Sequence, residues 1–181
     1  MTEKHRRLLT LSGLLLLGIG MISGAAVSVV TLADEADSRE TYQHISKSVS
    51  HEDSKLETDA SEAVVNPIDF ASLKAEYDDI YGWIRLPDTL LDYPLMQTGN
   101  NRYYLNHLPD GRINRKGTPF VDRRNSVNFE DDNTVIYGHY NRDGSMFKAV
   151  LSYRRQSYYD AHPFMFIYTE AKTYRLDLIA G

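Results

Sequence analysis

The stretch Asn133-Thr134-Val135-Ile136-Tyr137-Gly138-His139-Tyr140, continued by Asn141-Arg142-Asp143-Gly144-Ser145-Met146-Phe147, organises the chain. Thr134, Val135, Ile136 and Tyr137 are β-branched or aromatic, the types that fit a pleated, half-buried surface. The spacing predicts a strand that ends on a histidine. Gly138 allows close backbone approach or an unusual φ, and His139 follows where strand gives way to loop. Asn141 to Gly144 is a run of turn formers. Ser145 is placed to cap a helix running to about Tyr153, whose apolar positions are Met146, Phe147, Val150 and Leu151. A histidine at the mouth of a strand suits acid/base work, although the type alone does not establish it.

Downstream, Ser157 to Ala161 reads as a short helix stopped by His162-Pro163. Phe164 to Thr169 and Thr173 to Ile179 read as strands joined by a hairpin at Glu170-Ala171-Lys172, with Tyr174, Leu176 and Leu178 alternating against Arg175 and Asp177. Upstream, Pro67, Phe70, Leu73 and Tyr77 predict a short first helix. Tyr81 to Leu86 and Leu90 to Met96 predict two strands, and Pro94 requires an edge or a bulge in the second. Asn100 to His107 reads as a helical turn or loop, and Thr118 to Asp122 as a short strand. Short strands separated by turns indicate a small barrel or sandwich.

The N-terminal third differs. Lys4, Arg6 and Arg7 lie in a basic tail, residues 1–7, and no charged residue occurs over residues 8–32. About 20 apolar residues cross a bilayer as a helix, so 8–32 predicts a transmembrane anchor. Basic residues before it and Asp34, Glu35 and Asp37 after it place the N-terminus in the cytoplasm and the rest outside the plasma membrane. A cleaved signal peptide is the competing reading, given Ala25, Ala26 and Ser28; the length favours the anchor. Residues 33–65 are rich in Ser, Thr, Asp and Glu. Tyr42, Ile45, Val49 and Leu56 have the spacing of a short amphipathic helix, but composition predicts a flexible acidic stalk. The folded domain is expected over 66–181.

Bulk numbers narrow the function. Of 181 residues, 42% are hydrophobic and 25% charged, enough for a packed core. A net charge of −5 argues against a nucleic-acid surface. Arg123-Arg124 and Arg154-Arg155 are isolated pairs with the character of solvated faces. The chain has no cysteine, which excludes disulfides, thiolate metal sites and a cysteine nucleophile within these residues. Asn141, Asp143 and Gly144 do not make a calcium loop, since with Gly144 sixth the first and twelfth places fall to His139 and Val150. His107, His139 and His162 lack zinc-site spacing, and no G-x-S-x-G elbow accompanies His139. The reading calls for no cofactor and no metal.

Several segments together carry a likeness to a family: NPIDFASLKAEYDDIYGWIRLPDT, LDYPLMQ, NNRYYLNH, GTPFVDRRNS and DDNTVIYGHYNRDGSMFKAVLSY. From about Asn66 to Gly181 the chain resembles the class B sortases, membrane-anchored cysteine transpeptidases of Gram-positive bacteria. The resemblance implies a mainly β, sortase-like eight-stranded barrel with short peripheral helices, expected to be C-terminally incomplete in this chain, and His139 as the catalytic histidine. It implies that a cysteine attacks the threonine carbonyl of a sorting-signal peptide on a surface protein or pilin. The amine of a cell-wall peptide or a pilin then resolves the thioacyl-enzyme, and an arginine steadies the oxyanion. Asn101, Leu105 and Tyr137 are expected to line the substrate groove. The family's cysteine and arginine strands lie beyond the matched region, so the chain reads as an N-terminal fragment, inactive alone. The alternative from another class is a membrane-tethered surface module that binds a partner without chemistry.

Overall fold

The computed structural model describes residues 29–49 and 66–179. The anchor expected over 8–32 falls outside them except for 29–32, and among the described residues no helix is long and apolar enough to cross a membrane. The chain divides between Asp37 and Ser38 into two units. In the first, residues 29–37 are helical, with Val29, Val30 and Leu32 exposed.

The second unit is built on one six-stranded sheet. Its elements are the end of helix α1 (residues 29–45), a 3-10 turn at Ser46–Ser48, α2 (Phe70–Glu76), β1 (Ile80–Arg85), β2 (Asp92–Met96), a 3-10 turn at Tyr103–Leu105, β3 (Phe120–Val121) and β4 (Ile136–Tyr137). A 3-10 helix at Ala149–Arg154, α3 (Gln156–Ala161), β5 (Phe164–Tyr168) and β6 (Thr173–Asp177) follow. The strand order is β4-β3-β2-β1-β5-β6. Among the described residues β4 and β6 each have one neighbour, so this sheet is open.

In the central strands both faces of the sheet are buried, and successive residues divide between them, while the edge strands β4 and β6 are partly exposed. Trp83, Met96, Phe120 and Phe166 face one core, shared with Phe70 and Leu73 of α2. Ile84, Leu95, Val121 and Ile167 face the other, covered by Met146 from the loop after His139. Asp69 caps α2 by accepting from the Ser72 backbone N–H, and Pro67 lies outside the helix. Pro94 is accommodated as an edge would be: β2 meets β3 only at Met96, so nothing on that side asks Pro94 for an N–H.

The stalk expectation needs correction. Residues 38–45 are helical, Ile45 is 1% and Val49 5% exposed, and both join the first core. Val49 also bridges to Ile68. The apolar set Tyr42, Ile45 and Val49 outweighs the acidic composition around it, because burying Ile45 and Val49 and packing the half-buried Tyr42 against the core offsets the ordering cost. Residues 50–65 of the expected stalk fall outside the described residues.

The expected helix from Ser145 is also displaced. Ser145 gives its backbone N–H and its hydroxyl to the Asp143 carboxylate. Met146 takes φ +56° to bury its side chain. The chain regains helical turns only at Ala149, as 3-10.

Candidate active site

The topology explains which segments meet. Strands β2 and β3 run parallel, and a parallel pair needs a long crossover. That crossover, residues 97–119, carries Asn101 and Leu105. Strand β4 returns antiparallel beside β3, with Phe120 opposite Tyr137 and Val121 opposite Ile136. The chain leaving β4 therefore delivers His139 beside the crossover.

His139 is half-buried, and its Nε2 lies 2.7 Å from the Leu105 carbonyl oxygen. A carbonyl only accepts, so Nε2 carries the proton. In the neutral ring Nδ1 is then the basic nitrogen. The His139 carbonyl in turn accepts from the Phe147 N–H at 3.0 Å. Gly138 serves close approach rather than an unusual φ: a Cβ there would stand 2.8 Å from the Phe147 ring.

Asn101 and Tyr137 converge on a residue the sequence did not single out. Asp122 is 1% exposed and closes β3. Its carboxylate accepts from Asn101 Nδ2 (2.8 Å), the Tyr137 hydroxyl (3.0 Å), and Arg124 Nε and Nη2 (3.0 and 3.1 Å). Hydrogen bonds from the Arg124 side chain and backbone, then from Tyr137 and Asn101, hold the carboxyl far below the ordinary aspartate value against the pull of burial. Tyr137 is raised by the same bond. Asn101 also accepts the Arg123 N–H. Arg124, taken from sequence as part of a solvated pair, is exposed but ion-paired here.

The expected residues thus form two linked contacts, Leu105 with His139 and Asn101 with Tyr137 through Asp122. Leu105 and Tyr137 are 40% and 36% exposed, leaving apolar surface beside the histidine. His107 does other work, stacking on Tyr103 at 3.9 Å. The only sequence signal for Asp122 is an aspartate directly after the apolar Pro119-Phe120-Val121.

Comparison with known proteins places this geometry. No protein-family model matches the chain. Sortase B of Staphylococcus aureus is 32% identical over 178 residues, 98% of this chain and 70% of the relative. The chain belongs to the class B sortase family. Sortase B of Listeria monocytogenes is 38% identical over 102 residues, 56% of this chain and 42% of that protein. Among solved structures, the chain is similar to Bacillus anthracis sortase B in complex with AAEK1 (TM-score 0.58, 34% identity, 60% of this chain and 52% of that one). It is equally similar to a Streptococcus pyogenes class B sortase involved in pilus biogenesis (TM-score 0.58, 32% identity, 60% of each chain). The fold is accordingly mainly β and sortase-like. The chain spans about half the length of the Bacillus anthracis and Staphylococcus aureus sortase B structures it matches.

Proposed function

We propose that this chain supplies the histidine side of a sortase active site, acting on the sorting signal of secreted surface proteins or pilins. The observation that supports the reading is His139 at the end of β4, held by the Leu105 carbonyl beside the exposed Leu105 and Tyr137. A thiolate attacks the substrate carbonyl, and the C–N bond breaks as the His139 imidazolium gives its Nδ1 proton to the leaving amine. A cell-wall or pilin amine then attacks the thioester, His139 takes its proton, and the thiolate leaves. The thiol is not among these 181 residues. The apolar run 8–32, with basic residues before and acidic after, supports a plasma-membrane anchor with the domain outside.

The test is transfer of a sorting-signal peptide to an amine by the product of the complete reading frame. His139→Ala is expected to lower the rate by about 10²–10⁴-fold; an unchanged rate would overturn the assignment. The cysteine-free sequence favours one competing reading, a tethered binding module. That reading predicts peptide binding with no cleavage in the unmutated protein.

A further inference from the structure

The Leu105 carbonyl that holds His139 is itself held. Residues 114–117 form a turn closed by the Gly117 N–H on the Asn114 carbonyl at 3.0 Å, and Asn114 Oδ1 accepts from the Lys116 N–H. On one side of Leu105, the Asn114 N–H donates to the Asn106 carbonyl; on the other, the Thr118 N–H donates to the Tyr104 carbonyl. Both bonds are 2.9 Å. Gly117, at φ +60°, lies so close that a Cβ would be 2.4 Å from the Tyr104 oxygen and 2.7 Å from the Leu105 oxygen. The turn therefore grips the backbone on both sides of the one carbonyl that meets His139.

Two further contacts fix the turn. From α1, the Tyr42 hydroxyl donates to the Gly117 carbonyl at 3.0 Å and lies 3.2 Å from Thr118 Oγ1, whose own proton goes to the His107 carbonyl. Burial pushes the Tyr42 hydroxyl well above the ordinary tyrosine value, so it remains a donor. From the other side, Lys116 Nζ meets the Asp143 carboxylate at 2.5 Å, in the loop that follows His139.

We infer that the turn at 114–118 is the positioning element for His139, set from one side by Tyr42 and from the other by the Lys116–Asp143 pair. The inference rests on His139 being the acid/base group. It makes the helix preceding the sheet part of the site's architecture, with Tyr42 as a positioning residue that acts through the Leu105 carbonyl.

The tautomer of His139 tests it. Long-range proton–nitrogen NMR of the full chain, at alkaline pH where imidazole is neutral, reads which ring nitrogen is protonated. His139→Gln identifies the signals. The unmutated chain is expected to show His139 as a single Nε2–H tautomer. Tyr42→Phe keeps the ring and removes the donor, and should shift both His139 nitrogens toward the averaged values of mixed tautomers. Tyr153→Phe removes another inward hydroxyl, bonded to the His162 carbonyl, and should leave His139 unmoved. A folded Tyr42→Phe chain with unchanged His139 signals would overturn the inference, as would an Nδ1–H tautomer in the unmutated chain. Should Tyr42→Phe fail to fold, Lys116→Met decides: a His139 shift supports the inference and none overturns it. The spectrum reports geometry without turnover, so its outcome is separate from that of the His139→Ala transfer assay.

Discussion

Tyr137 donates its hydroxyl to Asp122 across 3.0 Å, tying the strand that leads to His139 to the residue that closes β3. The bond joins a group of donors that together hold the Asp122 carboxyl far below its ordinary value, with Arg124 contributing most. A carboxyl depressed in the folded state contributes stability above the unfolded value of about 3.9, lost as pH falls through the folded value. Asp143 adds to the same window: burial opposes its ionisation, but hydrogen bonds from Lys116 and Ser145 bring it to about 2. Urea midpoints should therefore fall steeply below about pH 4, and Asp122→Asn should flatten that fall. Parallel curves for the two proteins would show that Asp122 is not coupled to folding.

Ile45 offers a direct test of the N-terminal segment. It is 1% exposed within the core that α2 shares, so Ile45→Ala should cost about 2–5 kcal/mol in chemical denaturation. In a solvated stalk the same change would stay within about 0.5 kcal/mol.

At Gly117 the left-handed φ of +60° and the close carbonyls act together. Gly117→Ala should destabilise the fold by about 1–3 kcal/mol from backbone conformation alone, with the contact to the Tyr104 oxygen adding to it. Gly99→Ala is the matched control, since a Cβ there meets nothing within 4 Å; its thermal midpoint should barely move.

Gly138 and Phe147 should be energetically coupled. A methyl at Gly138 presses on the Phe147 ring and displaces either that ring or His139. Gly138→Ala is expected to slow peptide transfer by about 10²-fold, the usual consequence of a misplacement near 1 Å. Combining it with Phe147→Leu should restore part of the rate, with a coupling energy of about 0.5–3 kcal/mol in a double-mutant cycle. Strictly additive losses would place the effect elsewhere.

The parts of the fold legible in sequence are those set by local pattern. The hairpin of β5 and β6 follows from alternation and a polar turn, and β1 and β2 from apolar runs between Pro and Gly. Strands β3 and β4 are shorter than expected for a tertiary reason. The Asp122 N–H still donates to the Val135 carbonyl, but the Val135 N–H donates to the Asn125 side-chain oxygen, so the pairing of β3 and β4 stops there. Composition misled over residues 38–49, where acidic and hydroxyl residues surround the apolar Tyr42, Ile45 and Val49 that pack against the sheet.

Sequence sufficed for His139 at the end of a strand, which rests on residue type and local order, and for the family; Asn101, Leu105 and Tyr137 became candidates through the family resemblance alone. Only the folded chain decided that Asp122 gathers Asn101, Tyr137 and Arg124, and that Tyr42 reaches Gly117 75 residues away. Those contacts depend on a parallel crossover and a helix docked from outside the sheet. No local periodicity encodes them, since each is one polar bond between distant segments that hydrophobic burial has already brought together.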